Sequence, residues 1–257
     1  MNFDWTSFGH YLFQPTSVYL QGLWLTLSLS VISQAFGTLI GVAAALGSQS
    51  RFLAVRLLVA FYTWLMRGTP LLVQIVFIYT ALAAGGVFRF DDIDVGFAVI
   101  PGNIQAAIVA LSLNEGAYMT EIIRAGLLSV DDGQTEAAKS LGMTYFKYMR
   151  RIILPQAIRV IIPPLGNEFN AMLKNTTLVS VIGVPELLLA TQMITSATFR
   201  VFELYTVVAL YYLTLTTLWG FVQAWLERRY GEPSRNMPHN TGLIAGLRRI
   251  LTARAAR

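Results

Sequence analysis

VYLQGLWLTLSLSVISQAFGTLIGVAAAL, Val18 to Leu46, runs for 29 residues without one charged side chain. A hydrocarbon core roughly 30 Å thick is crossed by about 20 apolar residues in helical form, so the run is long enough to span a bilayer with some tilt. Gly22, Gly37 and Gly41 are spaced along it, and Gly47 follows directly. Small residues let helices approach closely in lipid, where packing rather than escape from water holds them together. The stretch reads as a membrane helix packed against neighbours.

Four further apolar runs come after it. Leu57 to Ala84 is interrupted by Arg67-Gly68-Thr69-Pro70, where the proline predicts a kink. Gly85 to Pro101 carries Gly85-Gly86, Arg89, Asp91, Asp92 and Asp94, and reads as an exposed acidic loop. The third run, Ile104 to Ile123, contains Asn114, Glu115 and Tyr118 and ends near Glu121 and Arg124. The fourth, Val160 to Val184, holds Pro163-Pro164 and Gly166, which predict a break, and then Asn167, Glu168, Asn170, Lys174, Asn175, Thr176 and Thr177. After a short amphipathic connection, Pro185 to Arg200, the fifth run extends from Phe202 to Leu226, with Tyr205, Tyr211, Tyr212 and Trp225 placed to anchor at the interface.

Composition agrees. Of the 257 residues 55% are hydrophobic and 13% charged, about half the charged share of an average soluble domain. With no cysteine, and with only His10 and His239 near opposite ends, disulfides, iron–sulfur clusters and thiol chemistry are excluded, and no metal site is expected. The net charge of +5 does not point to nucleic acid, because the cations sit between and after apolar runs. With the N-terminus outside, fifteen of the nineteen lysines and arginines fall in inside segments, and only Arg89 and Arg200 lie outside. The positive-inside rule therefore predicts an N-out, C-in chain of five transmembrane helices, an all-α polytopic membrane protein. Residues 1–17 form an extracytoplasmic segment, 18–230 the membrane domain, and 231–257 a basic tail expected to lie on anionic lipid. Met1 to Pro15 carries Asp4 and no lysine or arginine, unlike the n-region of a cleaved signal, so the first span is expected to stay in the mature protein.

Between the third and fourth runs, residues 124–159 turn polar and basic. Asp131 and Asp132 suit a helix N-terminus, Ala137, Ala138, Leu141, Tyr145, Tyr148 and Met149 fall at helical spacing, and Gly142 suits a helix stop. Two short helices with a sharp turn between them are predicted. An apolar side outside the bilayer needs a surface to bury against, either the protein's own spans or a cytoplasmic partner.

The loop spells Glu136-Ala137-Ala138, three residues, Gly142, nine residues, Ile152, one residue, and Leu154-Pro155. This matches the EAA motif of permease subunits of bacterial ATP-binding-cassette importers, a highly specific pattern. The resemblance extends from Gly22 to about Glu227. Arg67-Gly68-Thr69-Pro70-Leu71-Leu72-Val73-Gln74, Gly116-Ala117-Tyr118, Glu121-Ile122-Ile123-Arg124, Gly133-Gln134, Asn167-Glu168-Phe169 and Leu173 to Gly183 resemble the subfamily that imports polar amino acids, the histidine, glutamine and arginine permeases. Where that subfamily more often has Asp-Thr-Ser after the lysine, this chain has Asn175-Thr176-Thr177. The resemblance implies a type I importer permease of the bacterial inner membrane. It implies two separate ATPase subunits inside, a second permease subunit that is a copy or a homologue, and an extracytoplasmic amino-acid-binding protein. By the same resemblance the loop is the coupling helix, with Glu136, Ala137, Ala138, Leu141, Gly142, Leu154 and Pro155 at the ATPase contact. The chain has no G-x-x-x-x-G-K-[ST] phosphate loop, so ATP and magnesium are expected on the partner and no cofactor on this chain.

Ionisable and amide groups inside spans are costly and mark function by default. Glu168 leads the candidates for substrate contact: a carboxylate among amides suits an ammonium group, although a structural bridge to Lys174 or Arg67 would use it equally well. Glu168 and Asn175 share one helical face, whereas Asn167, Asn170, Lys174 and Thr177 share another. Arg67 offers a bidentate guanidinium for a carboxylate, or else reaches the cytoplasmic surface. Gln74, Asn114, Tyr118, Asn170 and Thr177 complete the candidate pocket, each of them equally suited to interhelical hydrogen bonding. Two other classes fit parts of the pattern. An ion-gradient-driven secondary transporter also places a carboxylate beside a broken helix, although no inverted repeat is visible. A non-transporting scaffold predicts free replacement of the polar residues in the fourth run.

Overall fold

The computed structural model describes residues 3–96 and 99–230; the basic tail expected over 231–257 lies outside them. The described chain is helical apart from one two-residue ladder. A short α1 (Trp5–Phe13) is capped by Asp4, whose carboxylate accepts from the Thr6 and Ser7 amides. The apolar run that opens the sequence is a single helix, α2 (Ser17–Ser48), with Thr16 at its N-cap.

The second run differs from the expected kink. α3 (Leu53–Gly68) ends at Thr69, and α4 (Leu71–Val76) begins after Pro70, continuing through a π-helical turn, Phe77–Ala81, into α5 (Leu82–Ala84). The two arms meet at 107°. The cause is local: helical geometry is disfavoured for a residue before proline, and both Thr69 (ψ 147°) and Pro70 (ψ 135°) are extended, so the chain turns rather than bends. In the acidic loop, β1 (Ile93–Asp94) pairs antiparallel with β2 (Val99–Ile100), Ile93 opposite Ile100. Asp92 then accepts from the Gly102 amide at 2.8 Å, at the start of α6 (Gly102–Leu128).

The polar loop forms the predicted pair: α7 (Asp132–Ser140), capped by Asp131, then a turn at Gly142 with φ +72°, and α8 (Tyr145–Tyr148), which runs through a π-helical turn, Met149–Ile153, into α9 (Leu154–Asn175). Pro163 and Pro164 do not break α9. Each costs about 3 kcal/mol in an isolated helix, but tertiary packing against a neighbour restores the balance inside a membrane bundle. Here α11 (Val201–Tyr230) lies alongside, the Trp219 indole donates to Gly166 O at 2.8 Å, and the Phe169 and Trp219 rings pack at a tilt of 49° with centroids 4.2 Å apart. The change of geometry comes later, at Thr176–Ile182, which tightens into a 3-10 helix. The Thr176 and Thr177 hydroxyls donate back to Leu173 O and Lys174 O at 2.9 and 2.7 Å, the kind of local bond that competes with a regular helix.

The expected connection after Pro185 is a regular helix, α10 (Leu187–Thr198), packed on α2. Glu186 caps it, accepting from the Leu188 and Leu189 amides, and also accepts from the Tyr212 hydroxyl of α11 at 2.8 Å. Asp4 pairs with Arg200, and its amide donates to Glu203 at 2.8 Å, so α1 is fastened to the corner between α10 and α11.

The most extensive pairing is α2 along α6. Glycine makes the approach possible: a methyl group on Gly37 would lie 2.6 Å from Glu115 Cγ, and one on Gly41 would overlap Met119 Cβ. Leu29, Ile75, Ala106, Ala110, Leu111, Met172, Val179 and Ile182 form the main core, where α2, α4, α6 and the end of α9 converge. In contrast α3 buries no side chain fully and exposes Leu57, Leu58, Phe61 and Trp64. Among the described residues two helices, α2 and α11, are long and apolar enough to cross a membrane, or up to four spans if each bent pair counts as one.

Candidate functional site

The extended Thr69 and Pro70 aim the break between α3 and α4 at α6 and α9, and a cavity of about 540 Å³ opens there, lined by Arg67, Gly68, Thr69, Pro70, Leu71, Asn114, Glu115, Tyr118, Glu168, Ala171 and Asn175. Four of the seven substrate candidates from the sequence, Arg67, Asn114, Tyr118 and Glu168, are on its wall. They come from three separate segments, α3, α6 and α9. Arg67 lies over the Tyr118 ring, its guanidinium carbon 5.4 Å from the centroid, a cation–π geometry that holds the side chain at the cavity without neutralising its charge. Among the described residues Glu168 makes no ion pair with Arg67 or Lys174, so neither structural bridge forms.

Gln74 stands one layer behind. Its amide donates to Met66 O at 2.7 Å and to Thr69 O and Oγ1 at 3.1 and 2.8 Å, and its carbonyl accepts from Asn114 Nδ2 at 3.0 Å. Asn114 also donates to Met66 O at 3.1 Å. Backbone groups released where α3 ends are thus satisfied by side chains from beyond the break and from α6, as buried polar groups require.

Asn170 and Thr177 are not brought to this cavity. Asn170 Oδ1 is buried without a partner on another side of α9, and Thr177 spends its hydroxyl on Lys174 O. Asn167 accepts from Gln223 of α11 at 3.0 Å, and Lys174 is exposed. From α9, Glu168, Ala171 and Asn175 face the cavity, in the i, i+3, i+7 sequence of one helical stripe.

Glu115 is a cavity residue that sequence reasoning did not single out. It is 4% exposed, accepts from Gln34 Nε2 of α2 at 2.7 Å, and lines the cavity. The signal was available: an acid in the middle of an apolar run, the rule that selected Glu168.

The EAA loop has two sides. Ala138 is 1% exposed and packs with Tyr148, Ile153, Leu127, Val130 and Met143 against the end of α6. It does not share the outward surface expected for it, because the turn at Gly142 folds α8 back over it and the pair must bury an apolar stripe of its own. Glu136, Ala137, Leu141, Gly142, Leu154 and Pro155 are exposed, Leu141 at 81% and the neighbouring Phe146 at 73%. Self-packing and outward apolar residues therefore coexist: the inner stripe fixes the helix pair on α6, and the tip is left without cover.

Residues 37–232 match the model of the family described as binding-protein-dependent transport system inner membrane component. The chain is 37% identical to the probable amino-acid permease protein YxeN of Bacillus subtilis over 90% of its own length and 98% of that protein. It is 34% identical to the glutamine transport system permease protein GlnP of Escherichia coli K12, covering 89% of this chain and 98% of the relative. The arginine transport system permease protein ArgU of Corynebacterium glutamicum is 36% identical over 90% of this chain and 73% of its own. Among solved structures, one titled as an amino acid ABC transporter with histidines superposes with a TM-score of 0.77 at 40% identity, covering 89% of this chain and all of that one. The MetNI methionine ABC transporter, at 18% identity and a TM-score of 0.67, shares the fold. The chain belongs to the family of binding-protein-dependent transport system inner membrane components.

Proposed function

We propose that this chain is the permease subunit of an ATP-driven amino-acid importer, and that the cavity at the α3–α4 break is where a polar amino acid passes. The observation that carries the reading is the placement of Arg67 and Glu168 on one cavity wall with neither charge consumed by an ion pair among the described residues. A guanidinium and a carboxylate match the two ends of a zwitterion, and Asn114, Tyr118 and Asn175 add neutral hydrogen-bonding groups.

The five crossings are α2, the broken pair α3 with α4–α5, α6, α9 and α11, with the N-terminus outside and α10 lying between the last two. Domain limits accord with this: 1–17 outside, 18–230 in the membrane with the coupling loop 124–159 inside, and 231–257 on the cytoplasmic face. Lysines and arginines support that orientation. The exposed apolar face of α3 fits a second permease subunit across a two-fold axis. Leu141, Phe146 and the turn at Gly142 fit a cleft on each of two ATPase subunits, where ATP and magnesium are bound; the extracytoplasmic binding protein delivers substrate from the other side. The names of relatives that handle glutamine and arginine support a polar amino acid as cargo.

Uptake of labelled amino acids by proteoliposomes containing permease, ATPase and binding protein tests the pocket. Glu168→Gln and Arg67→Ala are each expected to lower uptake by about tenfold or more while the assembled complex still purifies intact. Unchanged uptake at both limiting and saturating substrate removes the residue from the pathway.

A further inference from the structure

Charge is unevenly distributed around the cavity proposed as the amino-acid site. Its wall carries one cationic side chain, Arg67, and two acidic ones, Glu115 and Glu168. A zwitterion engages two of the three, its carboxylate on Arg67 and its ammonium on one acid. One acid is left over.

Glu115 is unusually placed for a group left over. It is almost fully buried, receives a single hydrogen bond, from Gln34 Nε2 at 2.7 Å, and among the described residues has no cation within ion-pair distance. Gln34 is itself incompletely satisfied, because its Oε1 is buried with no donor among the described residues. The acid's stem is packed against α2: an added methyl on Gly37 would come within 2.6 Å of Glu115 Cγ. An acid buried at a cavity wall without a counter-charge is costly in its ionised form until a cation arrives.

Resting on the assignment of this cavity to the amino acid, we propose that Glu115 is a specificity-determining residue that makes the cavity select amino acids with a cationic side chain, of the arginine and lysine class, over neutral ones. With such a substrate the α-carboxylate meets Arg67, the α-ammonium and the side-chain cation are shared between Glu168 and Glu115, and the charges of cavity and cargo sum to zero. A neutral side chain of equal length leaves one buried acid unpaired.

The test is equilibrium binding of labelled arginine, citrulline and glutamine to the detergent-solubilised permease–ATPase complex, without the binding protein, so that the membrane cavity alone sets the preference. Citrulline has the length of arginine without its charge. Arginine is expected to bind about tenfold or more tightly than either neutral ligand. Glu115→Gln, which keeps an acceptor for Gln34, is expected to remove most of that preference and leave citrulline within about twofold of its original affinity. Equal binding of arginine and citrulline by the unaltered protein overturns the proposal without recourse to any variant. So does a Glu115→Gln complex in which arginine binding is unchanged, or in which all three ligands weaken equally, because Glu115 is then only a packing partner of Gln34. If Glu168→Gln weakens none of the three, the cavity is not the amino-acid site, and the failure belongs to that assignment.

Discussion

Asn114 on α6 donates its amide to Gln74 on α4 at 3.0 Å, and through Gln74 it holds both arms of a 107° break. Removing Gln74 takes the donor from Thr69 O and strands one donor of Asn114, while Met66 O keeps its bond from Asn114. Each buried group left unsatisfied costs about 1–3 kcal/mol. Gln74→Leu is therefore expected to lower the thermal unfolding midpoint of the solubilised protein by several degrees. The Gln74→Leu/Asn114→Leu double variant should lose less than the two single losses together, since one network is removed twice. Strictly additive losses would show that the two amides act independently.

At the EAA loop, two substitutions separate docking from loop integrity. Leu141→Asp changes a side chain that is 81% exposed, so the permease is expected to fold and insert normally while its ATPase no longer co-purifies. Ala138→Asp places a charge against Tyr148 and Ile153, where an unpaired buried charge costs several kcal/mol. It is expected to loosen the helix pair itself, read as faster proteolysis within residues 131–153 in the absence of any ATPase. Equal protease resistance in both variants would contradict the two-sided loop.

Acid is expected to release α1. The Arg200 guanidinium and the Ser7 amide hold the Asp4 carboxyl well below its ordinary value, at about 2. A depressed acid contributes stability that is fully present above its unfolded value near 4 and is lost as pH falls toward 2. Hydrogen exchange of the α1 amides should thus be independent of Asp4 between about pH 5 and 8, and accelerate progressively below about pH 4. Asp4→Asn should show fast exchange at every pH. An Asp4→Asn protein with native protection at neutral pH would mean that the aromatic contacts of Phe3 and Phe8 alone hold the helix.

Gly41→Val tests the glycine contact between α2 and α6. Even a methyl group there overlaps Met119 Cβ and crowds the α6 backbone, and overpacking of this kind typically costs about 1–3 kcal/mol, the scale of a core defect. Reduced yield of monodisperse protein is expected, whereas Gly220→Val, at a position with open space around it, should leave the yield unaltered.

Much of this architecture is legible in the sequence, because lipid imposes length and hydrophobicity on every crossing and those are properties of runs of residues. Val18–Leu46 and Phe202–Leu226 are found within a few residues of α2 and α11. The errors have physical causes. Pro163-Pro164 reads as a break, yet the packing of α11, invisible in one sequence, carries α9 through it. Thr69-Pro70 reads as a kink, yet two consecutive extended residues make a turn. Helical spacing places Ala138 beside Leu141, but only the fold-back at Gly142 decides that one is covered and the other bare. At the cavity, periodicity separates the Glu168–Asn175 face from that of Asn170 and Thr177, and does not reveal that Glu115 of another helix meets it, since that convergence is set by the packing of α6 on α9.

A permease that moves an amino acid by energy borrowed from a partner ATPase is distinguished from an ion-coupled carrier by one experiment. Uptake is measured in proteoliposomes containing the permease, its ATPase and its binding protein, with enclosed ATP and imposed ion gradients varied separately. Uptake that requires ATP and persists when ionophores abolish every gradient is the predicted result. Uptake that continues without ATP and collapses with the gradient would contradict it.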